Sequence, residues 1–373
     1  MAIRFLTSGE SHGQCLNAII EGIPYGYELD FDFINNELAK RQQGTGRGAR
    51  MLIEKDRIKI KSGVRHSITT ASPICLEIEN KDWKNWIYPM SIEKIDLDSL
   101  EDSKKALVIE KIEEKKITKL RPGHADLAAA LKYDFRDIRL SLERSSARET
   151  ATRVAVGAIC QSILKNYNID FSFEILSIGS CADKSEFDNY IKSYQKEGDS
   201  LGGVVRITIK NVPCGLGSFT HYDRRLDGKL MGALGSIPAI KAVEVGLGRE
   251  YSSLSGFNSH DEIFYNDKYY HKTNSSGGIE GGMTNGEDIV LTVSMKPIPT
   301  MKKALNSVEI LTHKEVKAHF ERADNCAVYA MGVVAVNMSA IVILDAFLDK
   351  FTHDSKIDID SNYNQYLKRI NEL

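Results

Sequence analysis

The stretch from Arg121 to Thr150 concentrates side chains that can bind anions and move protons. It opens with RPGHAD and closes with RSSARET, so Arg121, Arg144 and Arg148 accompany one histidine, His124, and two hydroxyls, Ser145 and Ser146. Ser146 precedes Glu149 by three positions, the spacing of a capping box. An apolar series at Ala147, Ala151, Val154, Ala155 and Ala158 follows with the period of a helix face. The spacing predicts that Arg144 to Arg148 stands at a helix N-terminus, where backbone N–H groups favour an anion. An ordinary cap with exposed arginines would look the same, but two further arginine-bearing segments favour the anion.

The first is RQQGTGRGAR, Arg41 to Arg50, a glycine-rich loop that can bring Arg41, Arg47 and Arg50 and its own amides onto phosphate or carboxylate. Its GTGRGA formally matches a dinucleotide-binding fingerprint. A helix precedes it and an extended segment follows, the reverse of what that turn requires, so the match is rejected. The second is Arg322, which with Asp324 leads into a run without charge; such charges face solvent, pair, or line a cavity. Near the N-terminus, GESHG (Gly9 to Gly13) reads as a tight turn exposing His12. SSGGIEGGMTNGED (Ser275 to Asp288) lets backbone approach a flat or anionic ligand, and the strand after it delivers KPIPT, Lys296 to Thr300, a candidate cofactor wall.

These segments need elements to hold them. Strands are expected at Ile3–Thr7, Arg57–Val64, Ile74–Ile78, Phe173–Ile178, Gly202–Lys210, Ala239–Gly246 and Ile289–Met295. The second and third of these alternate and should pair. Helices are expected at Phe33–Arg41, from RSSARET to about Tyr167, and at Ser185–Glu197, Leu226–Leu234 and His313–Phe320. Asp96–Lys119 is dense in charge and reads as an exposed excursion, and Ser255–Thr273, with His260 and His271, as an irregular surface loop. Ala327–Leu344 carries no charge and is long enough to cross a membrane. Asn337, Ser339 and its many small residues favour a buried core helix. A glycine turn, an alternating strand and a proline turn occur at Gly202–Pro213 and again at Gly282–Pro297, a weak internal echo.

The chain has 373 residues, enough for a large core, and a formal net charge of -2, which argues against general nucleic-acid binding. Six cysteines without CxxC spacing read as reduced thiols of a cytoplasmic protein. Nine scattered histidines, with no HExxH and no Cys/His cluster, suggest no metal site. No signal peptide is apparent and no membrane association is expected. Residues 1–350 are read as one domain and 351–373 as a polar tail without chemistry.

In chain order, GESHG, RQQGTGRGAR, RPGHAD, RSSARET, GGIEGGMTNGE, KPIPT and RADNCAV (Arg322 to Val328) together resemble the chorismate synthase family, from Gly9 to about Leu348. RPGHAD with RSSARET at this separation is the specific part. The resemblance implies an α+β fold in which antiparallel sheets sandwich helices, assembled as a homotetramer. It implies a lyase of the shikimate pathway that converts 5-enolpyruvylshikimate 3-phosphate to chorismate and phosphate by trans-1,4-elimination. The reaction has no net redox change yet requires reduced FMN. His12, His124 and Asp324 match the family's catalytic residues. Arg41, Arg47, Arg50, Arg121, Arg148 and Arg322 match its anion-binding arginines, which suits a substrate with one phosphate and two carboxylates. Arg144, Ser145, Ser146, Pro238, Ala239, Gly281, Lys296, Pro297, Ile298, Pro299, Thr300 and Arg322 fall where the family holds FMN.

The chain departs from the family in two places. Ala323-Asp324-Asn325 stands where many members have His-Asp-Pro, and Pro238 removes an N–H donor at one flavin contact. A non-catalytic flavin- or phosphate-binding protein is the alternative, but it would not need His12, His124 and Asp324. A flavin reductase using NADPH is another; without an extra domain or dinucleotide motif, an external source of reduced FMN is expected.

Overall fold

The computed structural model describes residues 3–48, 55–321 and 324–372. Arg50, Arg322 and the first four residues, 51–54, of the extended segment expected after Arg50 lie outside the described residues. Strands β1 (Arg4–Gly9), β2 (Cys15–Glu21), β3 (Ile58–Ser62) and β4 (Ile74–Glu79) form one antiparallel sheet in the order β1-β2-β4-β3. Strands β5 (Asp170–Ile178), β6 (Gly203–Lys210), β7 (Ile240–Val245) and β8 (Ile289–Met295) form a second, in the order β5-β6-β8-β7. Alternation decides which face turns inward. Leu16, Ala18 and Ile20 of β2 are buried with Ile74, Leu76 and Ile78 of β4, and Val205, Ile207 and Ile209 of β6 with Ile289, Leu291 and Val293 of β8. The echoing segments are therefore neighbours in one sheet, with Ile289 opposite Ile209 and Met295 opposite Gly203.

In chain order the helices are α1 (Phe31–Arg41), α2 (Asp102–Lys115), α3 (Asp126–Tyr133), α4 (Arg139–Ser145), α5 (Thr150–Leu164), α6 (Phe187–Glu197), α7 (Leu226–Gly235), α8 (Val328–Lys350) and α9 (Lys356–Asn371). The space between the sheets is filled by helices α5 and α8 with α1 against them, as expected, and the other helices lie around this core or, as α3 and α4, in a small cluster of their own. The chargeless segment is α8, whose most apolar stretch is wholly buried. It packs on α5, which faces β1 and β2, while α8 itself faces β5 and β6. One polar cluster crosses this interior. Asn337 of α8 accepts from Gln161 Nε2 of α5 at 2.8 Å and donates to Glu37 Oε2 of α1 at 3.0 Å, so its buried amide is satisfied.

Four local expectations are corrected. Asp96–Lys119 contains helix α2, which buries Val108 alone and leaves Leu107 and Ile109 exposed among its charged residues. Ser255–Thr273 contains a hairpin of Ile263–Asn266 and Lys268–His271 after a helical turn at Gly256–Ser259. His313–Phe320 is extended, and Glu315–Lys317 pairs with Asn306–Val308. Val316, Ala318 and Phe320 recur every second residue there, a strand period rather than a helical one. The capping box is half formed. Ser146 Oγ accepts from Arg148 N at 3.3 Å at the head of a 3-10 turn, Ala147–Glu149, that runs into α5. Glu149 does not return to the cap; it takes Arg153 Nε at 2.8 Å and Thr7 Oγ1 at 3.3 Å. Residues after 350 include α9, which packs Ile359 into the core with Tyr363 and Tyr366 against it.

Gly157 sets how closely α5 and α8 approach: a Cβ there would lie 2.3 Å from the Asn337 carbonyl oxygen. Gly157→Ala should lower the unfolding free energy by about 3 kcal/mol, the upper end for overpacking. Urea denaturation measures this; an unchanged midpoint would mean that the helices separate at no cost.

Candidate active site

Two arginine-bearing segments, RQQGTGRGAR through Arg41 and RSSARET through Arg148, and the GESHG turn meet where α1, the loop before β3 and the N-terminal end of α5 come together. Arg41 ends α1 and Arg148 sits in the turn leading into α5; their side chains are almost entirely buried. Between them lies Asp56, fully buried, accepting from Arg41 Nη2 at 3.0 Å and from Arg148 Nη1 at 2.6 and 2.7 Å. Burial alone would raise the Asp56 carboxyl, but the charges of Arg148 and Arg41 outweigh it and hold it below its ordinary value. Burial, beside a second guanidinium, brings Arg41 down to about 10 despite Asp56. Among the described residues, the two guanidiniums share this one carboxylate. Arg41 Nε is buried with no hydrogen-bond partner among the described residues.

Arg148 also reaches the histidine turn. Its Nε donates to Asn80 Oδ1 at 3.0 Å, and Asn80 Nδ2 donates to the carbonyls of Glu10 and Gly13 at 3.0 and 2.8 Å. Asn80 is buried and so fixes GESHG to the arginine cluster from inside. Gly9 enters that turn at φ 95°, and a Cβ there would lie 2.4 Å from the Cys15 carbonyl oxygen, so the close return into β2 requires glycine. His12 is presented by this turn. Its ring stacks on Trp86 with centroids 3.9 Å apart, and its Nδ1 lies 2.8 Å from Glu143 Oε1. Glu10 beside it is raised, first by burial and then by the charge of Glu143.

The second histidine is held in a similar way. His124 Nδ1 is 2.7 Å from Asp126 Oδ1, and Arg121 grips both oxygens of Asp126 at 2.8 Å. Arg121 Nη2 also lies 3.0 Å from His124 Nδ1. A nitrogen lone pair cannot face a carboxylate at that distance, so Nδ1 carries the proton and donates to Asp126. Burial would raise the Asp126 carboxyl, but His124 and Arg121 bring it down to about 2. Asp324 anchors the glycine-rich loop: its Oδ2 is 2.7 Å from Arg47 Nη1, and its Oδ1 accepts from Gly48 N at 2.6 Å. A Cβ at Gly46, φ 86°, would lie 2.6 Å from Asn325 Oδ1, so the loop can close on 324–325 only through glycine.

The family model described as chorismate synthase matches residues 3–348. The chain belongs to the chorismate synthase family. It is 47% identical over 367 residues to the chorismate synthase of Caldanaerobacter subterraneus subsp. tengcongensis, covering 98% of each chain. It is 46% identical over 406 residues to that of Pelobacter propionicus, covering all of both. A solved structure titled "Crystal Structure of Chorismate Synthase" superposes with a TM-score of 0.77 at 35% identity, covering 100% of this chain and 99% of that one.

The segments that the chorismate synthase resemblance assigns to flavin form one path, with an exception. Arg144 donates to the carbonyls of Thr7 and Gly9 at 2.8 and 3.3 Å; Ser145 Oγ donates to Ser141 O at 2.6 Å; Ser146 Oγ is 3.2 Å from Ser11 Oγ. From the same helix end, Arg153 Nη1 donates to Ser236 Oγ at 2.9 Å, beside Pro238 and Ala239. The Ala239 carbonyl accepts from Lys296 N at 3.0 Å, and Lys296 Nζ donates to the carbonyl of Gly123, next to His124. Within KPIPT, Pro299 faces Gly123, the Ile298 carbonyl takes Ser200 Oγ at 2.6 Å, and Thr300 is buried. Pro297 follows the lysine in the same turn. Gly281 stands apart. It borders a 340 Å³ cleft lined by Asp227, Asp261 and Glu280, while the Gly282 carbonyl caps the N-terminal end of α7. Ala239 lies past the other end of that ten-residue helix, about 15 Å away. The donors on the continuous path, Arg144 and Lys296 with the Ser146 hydroxyl, suit a flavin's phosphate and ring carbonyls; the acid-lined cleft at Gly281 does not.

Asp56, Asn80, Trp86, Arg139 and Glu143 escaped the sequence reading. Asp126, the last residue of RPGHAD, and Glu143, which immediately precedes RSSARET, had the best signal, since each is an acid near a histidine or arginine.

The depressed Asp126 gives a pH prediction. The unfolded chain takes its proton near 3.8 and the folded state only near 2. The stability it contributes is therefore complete above about pH 4 and is lost as pH falls toward 2. Asp126→Asn should flatten the acid limb of stability in that window, read from urea midpoints. An unchanged slope would show that Asp126 is not held as an anion by Arg121 and His124.

Proposed function

We infer that the chain converts 5-enolpyruvylshikimate 3-phosphate to chorismate and phosphate, with reduced FMN bound. The observation carrying this reading is the presence, in a chorismate synthase-family chain, of two carboxylate-held histidines together with a buried pair of arginines that is tied to the turn bearing one of them. The substrate's phosphate and two carboxylates call for several guanidiniums, and we assign them Arg41, Arg47, Arg50, Arg121, Arg148 and Arg322. Arg41 and Arg148, being tied to Asp56, act by field and by their outer edges; Arg47 sits on the glycine-rich loop, held by Asp324. His12 is assigned as the acid toward the leaving phosphate, where negative charge develops on oxygen as the C–O bond breaks. His124 is assigned as the second proton carrier, on the flavin side, because Gly123 touches Lys296 and Pro299. Asp324 orders the loop through Arg47 and Gly48.

FMN is assigned to Arg144, Ser145, Ser146, Pro238, Ala239, Lys296–Thr300 and Arg322. When bound, reduced flavin supplies an electron-rich ring to a reaction without net redox change. Gly281 joins this set only if a second copy brings it there. A homotetramer is supported by apolar side chains on the outer face of the first sheet, where exposed Leu6 and Ile19 stand opposite each other. The free cysteines suit a reducing compartment, and we assign the protein to the cytoplasm with an external source of reduced flavin.

The test is anaerobic. Purified protein with the enolpyruvyl substrate should release phosphate and chorismate together with dithionite-reduced FMN, and neither with oxidised FMN. Phosphate without chorismate would make it a phosphatase. His12→Ala should slow single-turnover phosphate release by about a hundred- to ten-thousandfold, the range for a positioned acid, with flavin affinity nearly intact. Near-normal turnover would remove His12 from the reaction.

A further inference from the structure

We propose that Glu143 is the positioning residue of His12, holding it as an Nδ1–H donor so that the chemistry runs through Nε2. One carboxylate chelates one residue twice. Glu143 Oε2 accepts from the His12 backbone N–H at 2.7 Å, and Oε1 lies 2.8 Å from Nδ1. The carboxylate is almost wholly buried at 1% side-chain exposure, and the ring at 12%. Both rotations of the histidine side chain are thereby fixed from one side, and Trp86, stacked 3.9 Å away, closes one face of the ring.

The carboxylate is fixed in turn. Glu143 belongs to α4, and its own carbonyl accepts from Ser11 N at 3.0 Å, so helix and turn are joined at backbone level as well. Arg139, one turn earlier, reaches Glu143 Oε1 only at 3.4 Å and directs its better hydrogen bonds elsewhere, to Glu321 at 2.8 Å and to the Lys115 carbonyl at 2.9 Å. A buried carboxylate against Nδ1 selects the tautomer with its proton on Nδ1 and stabilises the imidazolium. The step then balances simply. The imidazolium gives its Nε2 proton to the departing phosphate oxygen and becomes the neutral Nδ1–H ring, Glu143 stays ionised, and solvent restores the proton after product leaves.

This inference rests on the acid role given to His12, and the experiment separates the two. Glu143→Gln keeps the shape but supplies one acceptor where Glu143 supplies two. The His12 backbone N–H is always a donor, so the introduced carbonyl must face it. The introduced NH2 then faces Nδ1, which has to give up its proton. In protein labelled with ring-15N histidine, with His12 assigned from the spectrum of His12→Gln, the neutral ring should switch from Nδ1–H to Nε2–H. kcat should fall about a hundredfold, the lower end for a positioned acid, with KM and thermal midpoint close to wild type. The same substitution added to His12→Ala should cost nothing further. Retention of the Nδ1–H form in Glu143→Gln overturns the proposal, as does an equal loss of rate in the His12→Ala background, which would make Glu143 a fold residue. If His12→Ala alone turns over normally, the acid role falls, and the tautomer spectrum still decides whether Glu143 positions the ring.

Discussion

A buried guanidinium has to be met by an anion, and that requirement organises the centre of this protein. Arg148 is nearly excluded from water, and its partners tie together parts of the chain far apart in sequence: Asp56 before β3 and Asn80 after β4. Asp56 in turn brings in Arg41 from the end of α1. Removing the carboxylate would leave two guanidiniums facing each other in a dry interior, and breaking such a buried pair typically costs about 3–5 kcal/mol. Asn80, which holds the Glu10 and Gly13 carbonyls, passes this constraint on to the turn that carries His12.

The sandwich supplies the rigidity such an arrangement needs. α5 begins where Arg148 ends its turn and then runs between the sheets, packed on α8 so closely that Gly157 has no room for a methyl group. The functional side chains therefore hang from the ends of elements whose bodies are core: Arg41 at the end of α1, Arg148 ahead of α5, Glu143 near the end of α4. A charged group at an element's end can reach a site while its neighbours bury apolar surface. This is why the apolar periodicity and the reactive residues are separate signals in this sequence.

That separation governs what could be read in advance. The alternation in β3, β4 and β6, the apolar run of β8 and the chargeless run of α8 are one-dimensional patterns, and each became the expected element, whereas β2 carried no strand expectation. His313–Phe320 departs from the expected helix because Val316, Ala318 and Phe320 recur at period two, and Glu315–Lys317 pairs as a strand. Asp96–Lys119 failed because charge density hid a single buried side chain, Val108. In the site, histidines and arginines were legible by type and motif. Their partners were not, because pairing across the fold leaves no local spacing: Asp56 and Arg148 are 92 positions apart, and His12 and Glu143 131. Asp126 lies two positions from His124 and could have been found.

The two histidines share a plan but differ in the charge left for the ring. Asp126 gives both oxygens to Arg121 at 2.8 Å, so its negative charge is already matched when His124 Nδ1 reaches it. Glu143 meets Arg139 at only 3.4 Å, and that guanidinium is shared with Glu321. In a low-dielectric interior such a difference of contact distance and sharing changes the local field substantially. Glu143, facing the His12 ring, is therefore less closely matched by its arginine than Asp126, facing the ring of His124, is by its own. A cation is what an oxygen leaving with negative charge requires, whereas a ring beside an electron-rich cofactor can serve in its neutral form, with Nδ1 tied back and Nε2 exchanging the proton. The division of labour we propose for the two histidines rests on how tightly each carboxylate is held by its own arginine.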